Sequence, residues 1–125
     1  NVIYWSDYSY CRLGPNPSSG CEWSIVNSDG TEITAYTNQL DIPYPRVSSV
    51  QPLVYSFNQT TKHFNVIFSG SGSINTEIYV SSRYYPNYAV NSNSSSWTNS
   101  WNVTSRILTV SATLNGPTEI TIDPT

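Results

Sequence analysis

The sequence predicts an all-β protein, an antiparallel β-sandwich with an irregular N-terminal extension. Three observations lead there. Short apolar runs alternating with a period of two recur about every ten residues. Gly, Pro, Asn and Ser fill the intervals between them. Helical spacing at i, i+3, i+4 and i+7 is not sustained over any window longer than about ten residues.

Taken in order, residues 2–5 are apolar, residues 22–26 read as a short strand, and residues 31–36 alternate and are β-branched. Pro43-Tyr44-Pro45 is an extended joint, because proline fixes its own φ and restricts the residue before it. It divides an extension, residues 1–42, from a sandwich domain, residues 43–125. Residues 53–57 and 63–68 flank Asn58-Gln59-Thr60-Thr61-Lys62 and read as a β-hairpin. Phe64, Val66 and Phe68 then share one face. Ile78 and Val80 do the same, as do Leu108, Val110 and Ala112. In the last strand Ile120 and Ile122 oppose Glu119 and Thr121.

Composition narrows the function. The 125 residues suit one domain, and 38% hydrophobic residues suffice for a core. Only 10% are charged, with a net charge of −3. The five cations, Arg12, Arg46, Lys62, Arg83 and Arg106, are scattered, so no basic patch is present for nucleic acid. No apolar run approaches the ~20 residues that span a membrane as a helix. The chain opens on Asn1 rather than Met, which suggests a processed product.

Cys11 and Cys21 flank a Gly-, Pro- and Ser-rich loop. Two buried thiols are the plain reading, and a disulfide stapling the loop is the sharper one. Two cysteines and the distant His63 do not make a zinc site, so no metal or other cofactor is expected. Asn58-Gln-Thr, Asn93-Ser-Ser and Asn102-Val-Thr are N-glycosylation sequons. Asn58 falls in a hairpin turn and Asn93 in a Ser/Asn-rich loop. Asn102 sits beside Trp101, where a strand would turn its side chain inward. Together these features point to a secreted, extracellular glycoprotein.

The order and spacing of Pro43-Tyr44-Pro45-Arg46, the Phe57-to-Phe64 hairpin, Thr76-Glu77-Ile78-Tyr79, Tyr85-Pro86 and Ile120-Thr121-Ile122-Asp123-Pro124 resemble the C-terminal sandwich of endoglycoceramidase-like enzymes of glycoside hydrolase family five. Ile3-Tyr4-Trp5-Ser6-Asp7-Tyr8 looks like the eighth strand of their barrel, and residues 22–30 like the piece that follows. The resemblance implies that the catalytic acid/base and nucleophile lie on barrel strands four and seven, neither of which is in this chain. A (β/α)₈ barrel needs ~250 residues. The acids here are Asp7, Glu22, Asp29, Glu32, Asp41, Glu77, Glu119 and Asp123. None has the expected Asn-Glu or Glu-Phe-Gly setting. No catalytic residue is therefore expected, and the missing barrel becomes one candidate partner.

Two further features offer functions. Trp97 and Trp101, in an Asn/Ser-rich stretch, could stack on sugar rings as a carbohydrate platform, or simply anchor the core. Val2, Ile3, Tyr4 and Trp5 form an apolar strand that needs burial. Adding it to a neighbour's sheet edge would give a homo-oligomer or polymer. His63 has no acid beside it in sequence and reads as a rim residue. The expectation is a non-catalytic extracellular module that self-assembles through residues 2–5. The alternatives are an accessory domain of a glycolipid hydrolase or a carbohydrate-binding module.

Overall fold

The computed structural model describes residues 31–125. Val2 to Trp5, residues 22–26 and the Cys11–Cys21 pair lie outside them. Ile42–Thr125 form one compact unit.

Ahead of that unit, residues 31–36 are not the alternating strand expected. Thr34–Leu40 form a helix, α1. The Ile33 carbonyl accepts from the amides of Tyr36 and Thr37 at 3.0 and 3.2 Å. The Thr37 hydroxyl reaches back to the Glu32 carboxylate. The reason is visible once the frame moves two residues. Ile33, Tyr36 and Leu40 fall at i, i+3 and i+7, and a short β-branched run supports either period. Strand propensity is weak evidence because it reports packing context more than backbone preference.

The compact unit holds eight strands: β1 (Tyr44–Ser48), β2 (Val54–Phe57), β3 (Phe64–Phe68), β4 (Ser71–Tyr79), β5 (Tyr88–Ser92), β6 (Trp97–Asn102), β7 (Ile107–Asn115) and β8 (Thr118–Pro124). They make two antiparallel four-stranded sheets, in the orders β1-β4-β7-β6 and β2-β3-β8-β5. This is the antiparallel sandwich expected. The core lies between the four central strands. Ile74 and Ile78 on β4, and Leu108, Val110, Ala112 and Leu114 on β7, face Phe64, Val66 and Phe68 on β3 and Ile120 and Ile122 on β8. Their intervening residues are polar or part-exposed, which is the period-two pattern of a half-buried sheet.

The edge strands are less regular. β1 carries Pro45, tolerated there because an edge strand has one unpaired side. Its pairing with β4 slips by one residue between Pro45 and Val47. What the sequence presents as an extended joint is therefore the start of a sheet. β5 forms where no strand was read from the sequence, β6 forms within the Asn/Ser-rich stretch, and each has a single sheet neighbour.

Crossings between the sheets are tight. Gly70 (φ +128°) turns the chain from β3 into β4, and Gly116 (φ +86°) turns it from β7 into β8. The Gly116 amide donates to the Gly70 carbonyl at 2.9 Å, locking the two turns together. A Cβ at either glycine would meet nothing within 4 Å, so the requirement is conformational rather than steric crowding by neighbours.

The two faces of β8 give a direct check. Ile120 is fully buried, and truncation to Ala is expected to cost about 2–5 kcal/mol. Thr121→Ala, on the outer face, is expected to cost less than about 1 kcal/mol. Urea unfolding of both variants measures the difference; equal losses would mean the face assignment is wrong.

Candidate functional site

Chemistry-bearing side chains gather at one end of the sandwich, and two similar turns organise them. Asn58-Gln-Thr-Thr-Lys62 joins β2 to β3, and Asn102-Val-Thr-Ser-Arg106 joins β6 to β7. In the first turn Asn58 Oδ1 accepts from the amides of Thr60 and Thr61 at 2.9 and 3.1 Å. In the second Asn102 Oδ1 accepts from Thr104 and Ser105, both at 3.1 Å. A short amide side chain imitates a backbone turn in this way. Each turn ends on a cation with left-handed backbone, Lys62 at φ +61° and Arg106 at φ +57°. These are the two non-glycine residues with positive φ among those described, and such residues are held there only by compensating contacts.

The contacts are aromatic and carbonyl groups. Lys62 Nζ sits 4.8 Å from the ring centre of Tyr84 and donates to the Gln59 carbonyl. The Arg106 guanidinium sits 4.9 Å from the Trp101 ring and donates to the carbonyls of Val80 and Tyr85 at 3.0 and 3.1 Å. Between the two cations runs a row of rings. Phe57 meets Tyr84 at 4.8 Å and Tyr85 at 6.3 Å, Tyr85 meets Tyr88 at 6.2 Å, and Tyr88 meets Trp101 edge-on at 5.3 Å. The row links β2 to β5 and β6, edge strands of both sheets. Tyr85 is fully buried, and its hydroxyl donates to the Lys62 carbonyl at 2.5 Å. Burial first, and the negative charge of Asp123 second, hold its phenol well above the ordinary tyrosine range. Burial pushes Tyr88 up to about 12 against the opposing pull of Arg106.

The two tryptophans weighed as a sugar platform or as core anchors are strand residues. Trp97 and Trp101 lie on β6, partly buried against the core. Trp101 gives one ring face to Arg106 and an edge contact to Tyr88. An open cleft of about 760 Å³ lies beside it between β5 and β6, bordered by Asn87, Tyr88 and Asn99. Asn102 also differs from expectation. As the last residue of β6 it is exposed, its side chain committed to the turn.

The fold supplies His63 with an acid that sequence order hides. Asp123 lies sixty residues away, yet its Oδ1 is 2.6 Å from His63 Nδ1. The pairing of Phe64 with Ile122 in the β3–β8 ladder brings them together. The other carboxylates of the sandwich are also engaged. Glu77 meets Arg46 at 2.9 Å on the outer face of one sheet. Glu119 accepts from Asn65 Nδ2 at 2.9 Å on the outer face of the other. Glycoside hydrolysis needs two carboxylates roughly 5–9.5 Å apart across a substrate. Glu77 and Glu119 point away from each other across sheets about 10 Å apart. Glu119 and Asp123 are four residues apart on one strand, about 13 Å. Among the described residues no group of three or more His, Cys, Asp or Glu is arranged to hold a metal ion. No helix among them is long and apolar enough to cross a membrane.

The fold is an eight-stranded antiparallel sandwich of two four-stranded sheets. The Glycoside hydrolase family 5 C-terminal domain matches residues 43–122, and the chain belongs to that family. Solved structures of endo-glycoceramidase II from Rhodococcus sp. are similar to it. The complexes with a five-membered iminocyclitol and with a cellobiose-like isofagomine each show 25% identity and a TM-score of 0.63. The lactosyl-enzyme intermediate shows the same identity and a TM-score of 0.62. Each similarity covers 82% of this chain and 23% of the enzyme, so the chain corresponds to under a quarter of those proteins. No curated protein matches.

The cation that closes the second turn is the side chain to test. Arg106→Ala removes two charge-assisted bonds to carbonyls and a ring contact, and is expected to destabilise the sandwich by about 2–4 kcal/mol. Arg106→Lys keeps the charge but not the fork, and is expected to recover less than half of that loss. Thermal or urea unfolding reads both; full recovery by Lys would show that charge alone matters.

Proposed function

We propose that this chain is a non-catalytic accessory domain that supports the catalytic barrel of a family five glycosidase acting on glycolipids. Family membership supports the reading, as does the chain's match to under a quarter of endo-glycoceramidase II. The observation that carries it is the distribution of exposed apolar side chains. Within Ile42–Thr125 these are Tyr44 and Val47 on β1, Leu53, Val54 and Tyr55 on or beside β2, and Val103. Five of the six lie along one side of the sandwich, where β1 and β2 are the free edges of their sheets. Leu53 is 67% exposed and Val47 is 55% exposed. Contiguous apolar surface on a sheet edge marks a contact surface, because uncovered it promotes aggregation.

Self-assembly through Val2, Ile3, Tyr4 and Trp5 rests on residues outside those described, and the family relationship favours the barrel as partner over a second copy. The carbohydrate-platform reading is the weaker alternative, since Trp101 already gives a ring face to Arg106.

Mixed with a family five barrel lacking its own sandwich, the chain is expected to raise the barrel's melting temperature and to release no sugar from a glycosphingolipid by itself. Leu53→Lys combined with Val47→Lys is expected to abolish the protection while leaving the sandwich's own unfolding within about 0.5 kcal/mol of the parent. Turnover by the isolated chain that is lost on replacing Glu77, Glu119 or Asp123 would contradict the proposal, as would protection untouched by the two lysines.

A further inference from the structure

The paired turns carry a second consequence, independent of any barrel. We propose that Asn58, Asn93 and Asn102 are modification sites bearing N-linked glycans, and that the turns are built to hold them. All three asparagines are exposed, and so are the hydroxyl residues two positions on, Thr60, Ser95 and Thr104. In each case the side-chain oxygen is the atom the fold uses. Asn58 Oδ1 and Asn102 Oδ1 close their turns. Asn93 Oδ1 accepts from the Glu119 amide at 2.8 Å, extending the β5–β8 pairing by one residue. Among the described residues, the Nδ2 of all three makes no hydrogen bond. Nδ2 is the atom to which an N-glycan is joined. A glycan added there therefore costs the fold no contact, and the anchored Oδ1 fixes the direction in which the sugar leaves the surface.

Asn65, which lies outside any sequon, is held differently. Asn65 uses both ends of its amide, donating Nδ2 to Glu119 and accepting from Ser56 at Oδ1. Modification there would break a cross-strand bond. The chemistry is transfer from a polyprenyl-diphosphate-linked oligosaccharide by a membrane oligosaccharyltransferase. The Nδ2–C1 bond forms, the C1–O bond to the diphosphate breaks, Nδ2 loses a proton and the lipid diphosphate leaves. The surface gains what its composition lacks. With 10% charged residues, hydroxyl-rich glycans at both ends of the sandwich supply hydration that charges usually provide.

Peptide mapping of the protein recovered from its source, before and after enzymatic removal of N-glycans, tests the proposal. The enzyme converts an occupied asparagine to aspartate, and conversion is expected at all three sites. In a glycosylating secretory host, Thr60→Val and Thr104→Val destroy the sequons but keep the turns. Each is expected to lose one glycan while the deglycosylated protein melts where the parent does. Asn58→Gln should lose the same glycan and also melt lower, because the longer side chain misplaces the capping oxygen. Unmodified asparagine at 58 and 102 in the source protein would overturn the proposal. Equal melting of Asn58→Gln and Thr60→Val would overturn the claim that the turn holds the site.

Discussion

The row of rings from Phe57 to Trp101, clamped by Lys62 and Arg106, is the constraint on which the sandwich most depends at its open end. Two stacked sheets bury their central strands against each other, but nothing in that arrangement ties down the edges. Here β2 is an edge of one sheet and β6 an edge of the other, on opposite sides of the molecule. Tyr84, Tyr85 and Tyr88, contributed by the connection from β4 and by β5, span the gap between them. Tilted and edge-on ring pairs add stabilisation beyond the area they bury. The cations at the ends then fix two turns in a backbone region that lysine and arginine ordinarily avoid. Strain in the turns and attraction to the rings are two sides of one arrangement.

That arrangement separates structural from functional surface. The ring-lined end is committed to holding the fold, and its titratable groups are shielded by burial or by partners. The outer faces carry short polar ladders, such as Ser56–Asn65–Glu119, that satisfy the sheet surface. Within Ile42–Thr125 most of the large exposed apolar groups lie on β1 and on or beside β2. That exposed side fits the accessory role proposed above, and membership of the C-terminal domain family of glycosidases supports the same reading.

The central strands were legible in the sequence because burial on one face and water on the other write a period of two. Phe64-Val66-Phe68, Leu108-Val110-Ala112 and Ile120-Ile122 all show it. The edges were not. Tyr88, Val90, Trp97 and Trp101 are only partly buried, so β5 and β6 carry a weak alternation broken by Ser and Asn, which are loop residues by propensity. Thr34–Leu40 failed for the opposite reason, since its β-branched residues suit both periods. Long-range pairings left no local trace. His63 meets Asp123 only because the β3–β8 register makes them neighbours. The asparagine turns were visible as sequons, but the αL cations that complete them and the rings they cap depend on tertiary contact.

The central claim is that Tyr85 and Tyr88 are locked in the ring row as neutral phenols. The folded state favours the protonated form of both, so this stabilisation is complete below the unfolded tyrosine pKa near 10 and is lost as the pH rises through the raised folded values. Following tyrosinate absorbance and circular dichroism together through an alkaline titration tests it most directly. The exposed tyrosines should ionise first with the fold intact, and the last ones should ionise only in step with loss of the β-sheet signal. Complete ionisation of all tyrosines near their ordinary pKa, with the sheets unchanged, would contradict the account.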